Sequence, residues 1–192
     1  MRSPPAEPAS LNVTYGSDNT IVYQNGVDYN QLRYGGVGNG SVPVENTVFV
    51  VPGTGCVEED YAGITDGAIA LVPYVPDDCT VYEQALLAQS KMASAVLQYL
   101  TSPGALLNSR VRAVNWTEDS EEVTIPTFSI SYALGQTLQQ AVGATVKLAI
   151  NSSLYLEYTF NVICDTGGAS TDADLIVAGA HLGACACVQE PS

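Results

Sequence analysis

The sequence predicts an α+β domain in which short strands are interrupted by two helices. The chain has 192 residues, of which 46% are hydrophobic and only 14% charged, a balance typical of a compact folded domain. Clusters of Gly, Asn and Pro recur at short intervals, which favours short strands joined by turns. Two stretches instead repeat apolar residues three and four positions apart, which is the spacing of one face of a helix.

Several apolar runs predict the strands. NTVFVVPGTGC is rich in β-branched residues and ends in Pro and Gly. DGAIALVPYVPDDC is apolar without alternation, which predicts a strand covered on both faces. Further along, RVRAVNW and EEVTIPTFSI also predict strands, and ATVKLAI alternates as a half-exposed strand does.

Two helices are predicted between these strands. The first covers residues 80–100: Thr80 and Glu83 have the spacing of a capping box, and the sequence TSPG follows Leu100. The second begins after Ser131, whose hydroxyl group suits an N-cap position, and it ends at Gly143.

The charge of the chain excludes one class of partner. Twenty Asp and Glu residues stand against six Lys and Arg residues, which gives a formal net charge of −14. Such a protein repels polyanions, so we expect no nucleic-acid partner.

No apolar run approaches the roughly 20 residues of a membrane-spanning helix, so we expect no membrane partner. The N-terminal sequence MRSPPAEPAS lacks the apolar core of a signal peptide, so we expect that none is present in this chain.

The acidic composition, the sequons and the cysteines together favour a secreted protein. Five cysteines allow at most two disulfides and leave one thiol or one intermolecular bridge. Four N-x-[ST] sequons are candidate glycosylation sites. The sequons begin at Asn12, Asn39, Asn115 and Asn151, and the cysteines are Cys56, Cys79, Cys164, Cys185 and Cys187.

His181, the one histidine of the chain, ends the apolar stretch DLIVAGAH. A histidine at the end of a rigid strand is well oriented to bind a metal ion. A hydrolytic zinc ion needs about three protein ligands, which one histidine cannot supply. His181, Cys185 and Cys187 have the spacing His-x-x-x-Cys-x-Cys, but a metal site built on them would lack a fourth ligand. A Ser or Cys nucleophile would have to use His181 as its base, and no G-x-S-x-G context is present. The sequence therefore predicts no catalytic residue.

Three longer stretches together resemble a known arrangement. Residues 55–99 and 125–142, which begin GCVEEDYAG and IPTFSISYA, resemble the core of a protease-associated (PA) domain. Residues 158–182, YTFNVICDTGGASTDADLIVAGAHL, resemble the entry to the catalytic domain of secreted fungal zinc aminopeptidases, the aminopeptidase Y-like members of metallopeptidase family 28.

The resemblance implies a PA-type β-sandwich or open barrel of short strands with two helices, followed by two strands from the start of an α/β peptidase sheet. It also implies a disulfide between Cys56 and Cys79, whose loop of 23 residues would stabilise the fold by about 3 kcal/mol. The expected organisation is a flexible N-terminal arm at 1–14, a PA domain at 15–153, a truncated beginning of the peptidase domain at 154–182 and an unrelated tail at 183–192.

His181 matches the first zinc ligand of these aminopeptidases, but Gly183 stands where they have an orienting Asp, and their other ligands have no counterpart. The resemblance therefore implies a vestigial metal position and no cofactor in this chain, although the full-length family uses zinc. We expect a secreted, non-catalytic fragment or variant that binds peptide or protein. The alternatives are an active zinc aminopeptidase that removes N-terminal residues and a stand-alone secreted decoy or effector. Residues 154–182 would lack their neighbouring strands, so self-association through them is also expected.

Overall fold

The computed structural model describes residues 9–16, 19–36, 43–113, 115, 117, 119–141 and 143–150. The chain divides into two compact units, Met1–Leu154 and Tyr155–Ser192, and every described residue lies in the first. The expectations for residues 154–192 therefore stay predictions. In the described part of the chain, no helix is both long enough and apolar enough to cross a bilayer.

Eight strands and two helices form the described part of the first unit, which confirms the predicted α+β class with two helices. A short 3₁₀ turn, Glu58–Tyr61, precedes the fifth strand. The helices are α1 (Val81–Ser90) and α2 (Tyr132–Gln140). The strands are β1 (Ser10–Tyr15), β2 (Asn19–Val22), β3 (Tyr29–Gln31), β4 (Val44–Val50), β5 (Ile69–Pro73), β6 (Ala95–Tyr99), β7 (Thr127–Ile130) and β8 (Thr145–Ala149).

The strands form one curled, open sheet in the order β2-β1-β8-β4-β5-β6-β7-β3. β4, β5, β6 and β7 run parallel, and the other neighbouring strands are antiparallel. β4 joins the antiparallel part of the sheet to the parallel part. Val44–Thr47 pair antiparallel with β8, whereas Val48–Val50 pair parallel with β5.

The central strand β5 separates two hydrophobic cores. All five of its residues are buried, as its unbroken apolar sequence predicts. Ile69 and Leu71 belong to the core that includes residues of α2, β1 and β8, whereas Ala70 and Val72 belong to the core that includes residues of α1. Because successive residues of a strand point to opposite faces, one continuous apolar run serves both cores.

The first helix is shorter than predicted. It starts with the expected capping box, in which Thr80 Oγ1 accepts from the Glu83 amide at 3.2 Å and the Glu83 carboxylate accepts from the Thr80 amide at 2.7 Å. α1 nevertheless ends at Ser90, and Met92 turns the chain away with a φ of 63°. The prediction of helix to residue 100 was wrong because Ala95–Tyr99 form β6 between β5 and β7. Tertiary burial overrides local helical spacing in this segment.

The flexible arm predicted at residues 1–14 is also too long. Residues 10–14 belong to β1, which pairs with β2 on one side and with β8 on the other. Leu11 and Val13 are fully buried, and they alternate with polar residues as a strand with one buried face requires. The alternation is a local sign of a strand, whereas its pairing partner β8 lies far along the chain and is not visible in the local sequence.

Gly135 lies inside α2, where the helix packs against β6. A Cβ atom at this position would lie 2.5 Å from the Tyr99 Cβ. Replacing a helical glycine with alanine usually stabilises a protein by up to about 1 kcal/mol. We expect the opposite for Gly135→Ala, a loss of about 1–3 kcal/mol in the free energy of unfolding, because α2 would have to move away from β6.

Urea denaturation of the purified variant measures this change. The control is Gly104→Ala, at an exposed site where a new Cβ would have no neighbour within 4 Å. A Gly135→Ala protein as stable as the Gly104→Ala protein would show that α2 can shift at no cost.

Candidate functional site

A disulfide and several buried hydrogen bonds lie at the carboxyl ends of the parallel strands β4, β5 and β6. Parallel neighbours end at the same edge of a sheet, and ligands of open α/β sheets bind at this kind of edge. The segment that follows β4, residues 51–61, is called the disulfide loop below. It meets the connection from β5 to α1, residues 74–80, at this edge.

A disulfide joins these two segments. Cys56 in the disulfide loop is bonded to Cys79, the residue before the N-cap of α1, and their Cα atoms are 5.8 Å apart. This is the pairing that the resemblance implies. The bond ties the disulfide loop to the start of α1. Disulfides of this kind persist in oxidising compartments.

Tyr61 and Asp60 hold the inside of the disulfide loop. The Tyr61 hydroxyl lies 3.1 Å from the carbonyl oxygens of both Gly55 and Gln84, and its single proton can be donated to either. Burial, and secondarily the Asp60 carboxylate, raise the pKa of Tyr61 well above its usual value, so the hydroxyl remains a donor. The Asp60 carboxylate accepts from the Gly55 amide at 2.7 Å. Gly55 has a φ of 73°, and a Cβ there would lie 2.5 Å from Val72 Cγ1, so only glycine fits this turn.

Two buried glutamines connect the disulfide loop to the sheet. Gln84 Nε2, on α1, donates to the carbonyl oxygens of Thr54 at 2.7 Å and Pro73 at 3.0 Å. Gln98 Nε2, on β6, donates to Gln84 Oε1. Gln98 Oε1 is buried and has no hydrogen-bond partner within the described part of the chain.

This glutamine pair was not identified from the sequence. The sequence feature that could have indicated the pair is a polar residue inside an apolar run, such as Gln98 in AVLQY.

The outer side of the disulfide loop carries an apolar residue beside acidic ones. Val57 is 50% exposed, and Glu58 and Glu59 follow it at the surface. Glu58 also pairs with Lys91 Nζ at 2.6 Å, and this contact lowers the pKa of the carboxyl group.

The remaining predicted site residues are placed in part. Asn115 is exposed, and Asn12 lies half-buried in β1 with its Oδ1 buried and without a partner among the residues described. No group of three or more His, Cys, Asp or Glu side chains in the described ranges could hold a metal ion. The other predicted site residues, Asn39, Asn151, Cys164, His181, Cys185 and Cys187, lie outside the described residues.

Comparison with known sequences adds two findings. The family described as "PA domain" matches residues 40–138. "Probable leucine aminopeptidase 2" of Aspergillus fumigatus is 31% identical over 144 residues, which cover 73% of this chain and 27% of that protein. The chain therefore spans little more than a quarter of this relative.

Solved structures share the fold at low sequence identity. An aminopeptidase from Aneurinibacillus sp. strain AM-1 superposes with a TM-score of 0.55 at 18% identity, over 76% of this chain and 31% of that one. A zinc aminopeptidase from Bacillus subtilis gives 0.52 at 19% identity, over 75% and 31%. A psychrophilic subtilisin-like protease from the Antarctic Pseudoalteromonas sp. AS-11 gives 0.51 at 16% identity, over 75% and 33%.

Proposed function

Because the chain belongs to the PA-domain family, we propose that its described domain binds a peptide or a protein outside the cell and does not itself break a bond. One observation carries this proposal. The same fold occurs in a zinc aminopeptidase and in a subtilisin-like protease, and it matches only about a third of each chain, 31% and 33%. A fold shared by two peptidases of different chemistry is not the source of either chemistry, which supports a common role in recognition.

The disulfide loop supports a binding role. Its backbone is held by the Cys56–Cys79 bond and by the buried Gln84 amide, while Val57 stays exposed. Binding residues are commonly placed on loops that a rigid scaffold positions. A loop that is already ordered also loses less conformational entropy when a partner binds.

The disulfide further supports a location outside the cell. Extracellular proteins retain such bonds, whereas cytosolic thiols are kept reduced. The exposed Asn115 leaves room at the surface for a glycan on its sequon. Both features suit a protein that works in the same surroundings as a secreted peptidase.

The similarity to the Aspergillus protein favours a second candidate, in which this chain is itself a zinc aminopeptidase that removes N-terminal residues. The 31% identity extends over 144 residues but over only 27% of that protein. The residues described in the structure do not fit a zinc ion, since they hold no group of three or more metal-binding side chains. No step of such a reaction is therefore assigned to them.

Zinc content and peptidase activity separate the two candidates. The purified chain is incubated with excess zinc chloride, desalted, analysed by atomic absorption and assayed with leucine p-nitroanilide. We expect neither stoichiometric zinc nor p-nitroaniline release above the protein-free rate. Stoichiometric zinc together with turnover that is lost in His181→Ala would establish the second candidate and overturn the first.

A further inference from the structure

The basic side chains of this acidic protein are distributed unevenly. The chain has only six Lys and Arg residues. Both lysines form ion pairs: Lys91 Nζ lies 2.6 Å from Glu58 and Lys147 Nζ lies 3.1 Å from Glu45. Three of the four arginines are brought together at one place on the surface. These are Arg33, Arg110 and Arg112.

Arg33 and Arg110 face each other across an isolated parallel bridge. The Arg33 amide donates to the Ser109 carbonyl at 3.2 Å, and the Val111 amide donates to the Arg33 carbonyl at 2.8 Å. Residues opposite each other in a ladder carry their side chains on the same face. Both arginines are exposed, and neither forms an ion pair with a described carboxylate. The strand predicted from RVRAVNW consists of this single bridge in the described residues.

The backbone beneath the two arginines is well anchored. Leu32 and Val111, each adjacent to one arginine, are almost fully buried in the same core. The Leu32 amide donates to the Thr127 carbonyl at 2.9 Å, which joins this segment to the first residue of β7. The positions of the two arginine Cα atoms are therefore set by the core. This segment therefore loses less conformational entropy when a ligand binds.

Tyr34 adds an aromatic ring to the cluster. Its φ of 66° is unusual for a residue other than glycine, and such conformations are found preferentially at functional sites. Arg112 Cζ lies 4.9 Å from the centre of the Tyr34 ring. The ring thus holds a third positive charge near the bridge by a cation–π contact.

Two like charges placed directly opposite each other destabilise a fold. The chain has twenty acidic residues with which these arginines could pair, and both lysines have found such partners. We propose that Arg33 and Arg110 form a binding site for the side-chain carboxylate of an acidic residue in a bound peptide. This inference rests on the proposed function, because it names the chemistry of the peptide that the domain binds.

A carboxylate fits this site better than a polyanion does. The guanidinium group offers a planar fork of donors that matches a carboxylate. The net charge of −14 repels an extended polyanion along its whole length. One carboxylate interacts mainly with the two arginines, since salt screens exposed charges beyond about 8 Å under physiological conditions.

Fluorescence polarisation tests the assignment with two labelled peptides, Ala-Ala-Glu-Glu-Ala-Ala and its counterpart with two glutamines, both acetylated and amidated at their ends. We expect the native protein to bind the glutamate peptide about tenfold more tightly or better, as for a charge-assisted, bidentate contact. Arg33→Gln/Arg110→Gln should remove this preference. Arg33→Lys/Arg110→Lys should retain part of it, since lysine keeps the charge but not the fork.

A single substitution elsewhere controls for net charge. Lys147→Gln removes one positive charge away from the bridge and should retain the preference, whereas Arg110→Gln should weaken it. Arg110→Gln should also unfold at the same temperature as the native protein or a higher one, because like-charge repulsion is relieved. If the role of Arg110 were purely structural, its replacement would lower the unfolding temperature.

Three results would overturn the inference. The first is equal affinity of the native protein for both peptides, and the second is an Arg110→Gln variant that binds like Lys147→Gln. In either case binding itself, and with it the proposed function, would stand. The third is no binding of either peptide, which removes the carboxylate site, while the zinc and activity assay still decides whether the chain is itself a peptidase.

Discussion

Replacing Gln84 with methionine is expected to lower the free energy of unfolding by about 3–5 kcal/mol. Methionine has a similar length and shape, so the packing of α1 changes little. The substitution removes the donor to the Thr54 and Pro73 carbonyls and the acceptor of the Gln98 amide. Each buried polar group left without its partner costs about 1–3 kcal/mol, and three such groups are affected.

Urea denaturation gives this value, and a second glutamine provides the control. Gln136 in α2 is only half-buried, and its amide donates to Gln139 at 3.3 Å. Gln136→Met should therefore change stability by no more than about 0.5 kcal/mol. Gln84→Met/Gln98→Met should cost less than the sum of the single changes, because the second substitution removes the amide that the first one left unpaired. If Gln84→Met were as mild as Gln136→Met, the buried amide would not hold the disulfide loop.

Removing the disulfide is the other change with a large expected effect. Cys56→Ala/Cys79→Ala opens a loop with a sequence separation of 23 residues. The entropy of the unfolded chain then rises, and the free energy of unfolding should fall by about 3 kcal/mol. Amide hydrogen exchange in residues 51–61 should accelerate as well, because the outer side of the disulfide loop loses its covalent support.

Thermal unfolding with and without dithiothreitol tests this prediction. In dithiothreitol the native protein should lose stability until it matches the double variant in the same reductant, and any response of the variant itself measures the other three cysteines. This comparison separates the Cys56–Cys79 bond from any effect of the other three cysteines, which both proteins retain. A double variant as stable as the oxidised native protein would contradict the assigned role of the bond.

The elements that were predicted correctly depend on residues that are close together in the sequence. The capping box at Thr80 and the N-cap at Ser131 need only residues within one helical turn. The two-sided burial of β5 is likewise visible in its uninterrupted apolar sequence. These signals are local, so they can be identified without knowing which strands are neighbours.

The wrong predictions concern segments whose structure depends on distant partners. Residues 95–99 have apolar residues at helical spacing, but they form β6 because β5 and β7 lie on either side. Residues 10–14 follow a Pro-rich segment, but they form β1 because β8 pairs with them. In both cases the hydrogen bonds and burial supplied by the sheet exceed the preference of the isolated segment.

The candidate sites divide in the same way. The sequence, through its resemblance to PA domains, was sufficient for the family, the fold class and the pairing of Cys56 with Cys79. The buried pair Gln84–Gln98 and the opposed pair Arg33–Arg110 were decided by the tertiary structure. Their members are separated in sequence and carry no motif, and only the tertiary fold places them side by side. A polar side chain becomes part of a network or a charged site when folding sets its neighbours and its access to water.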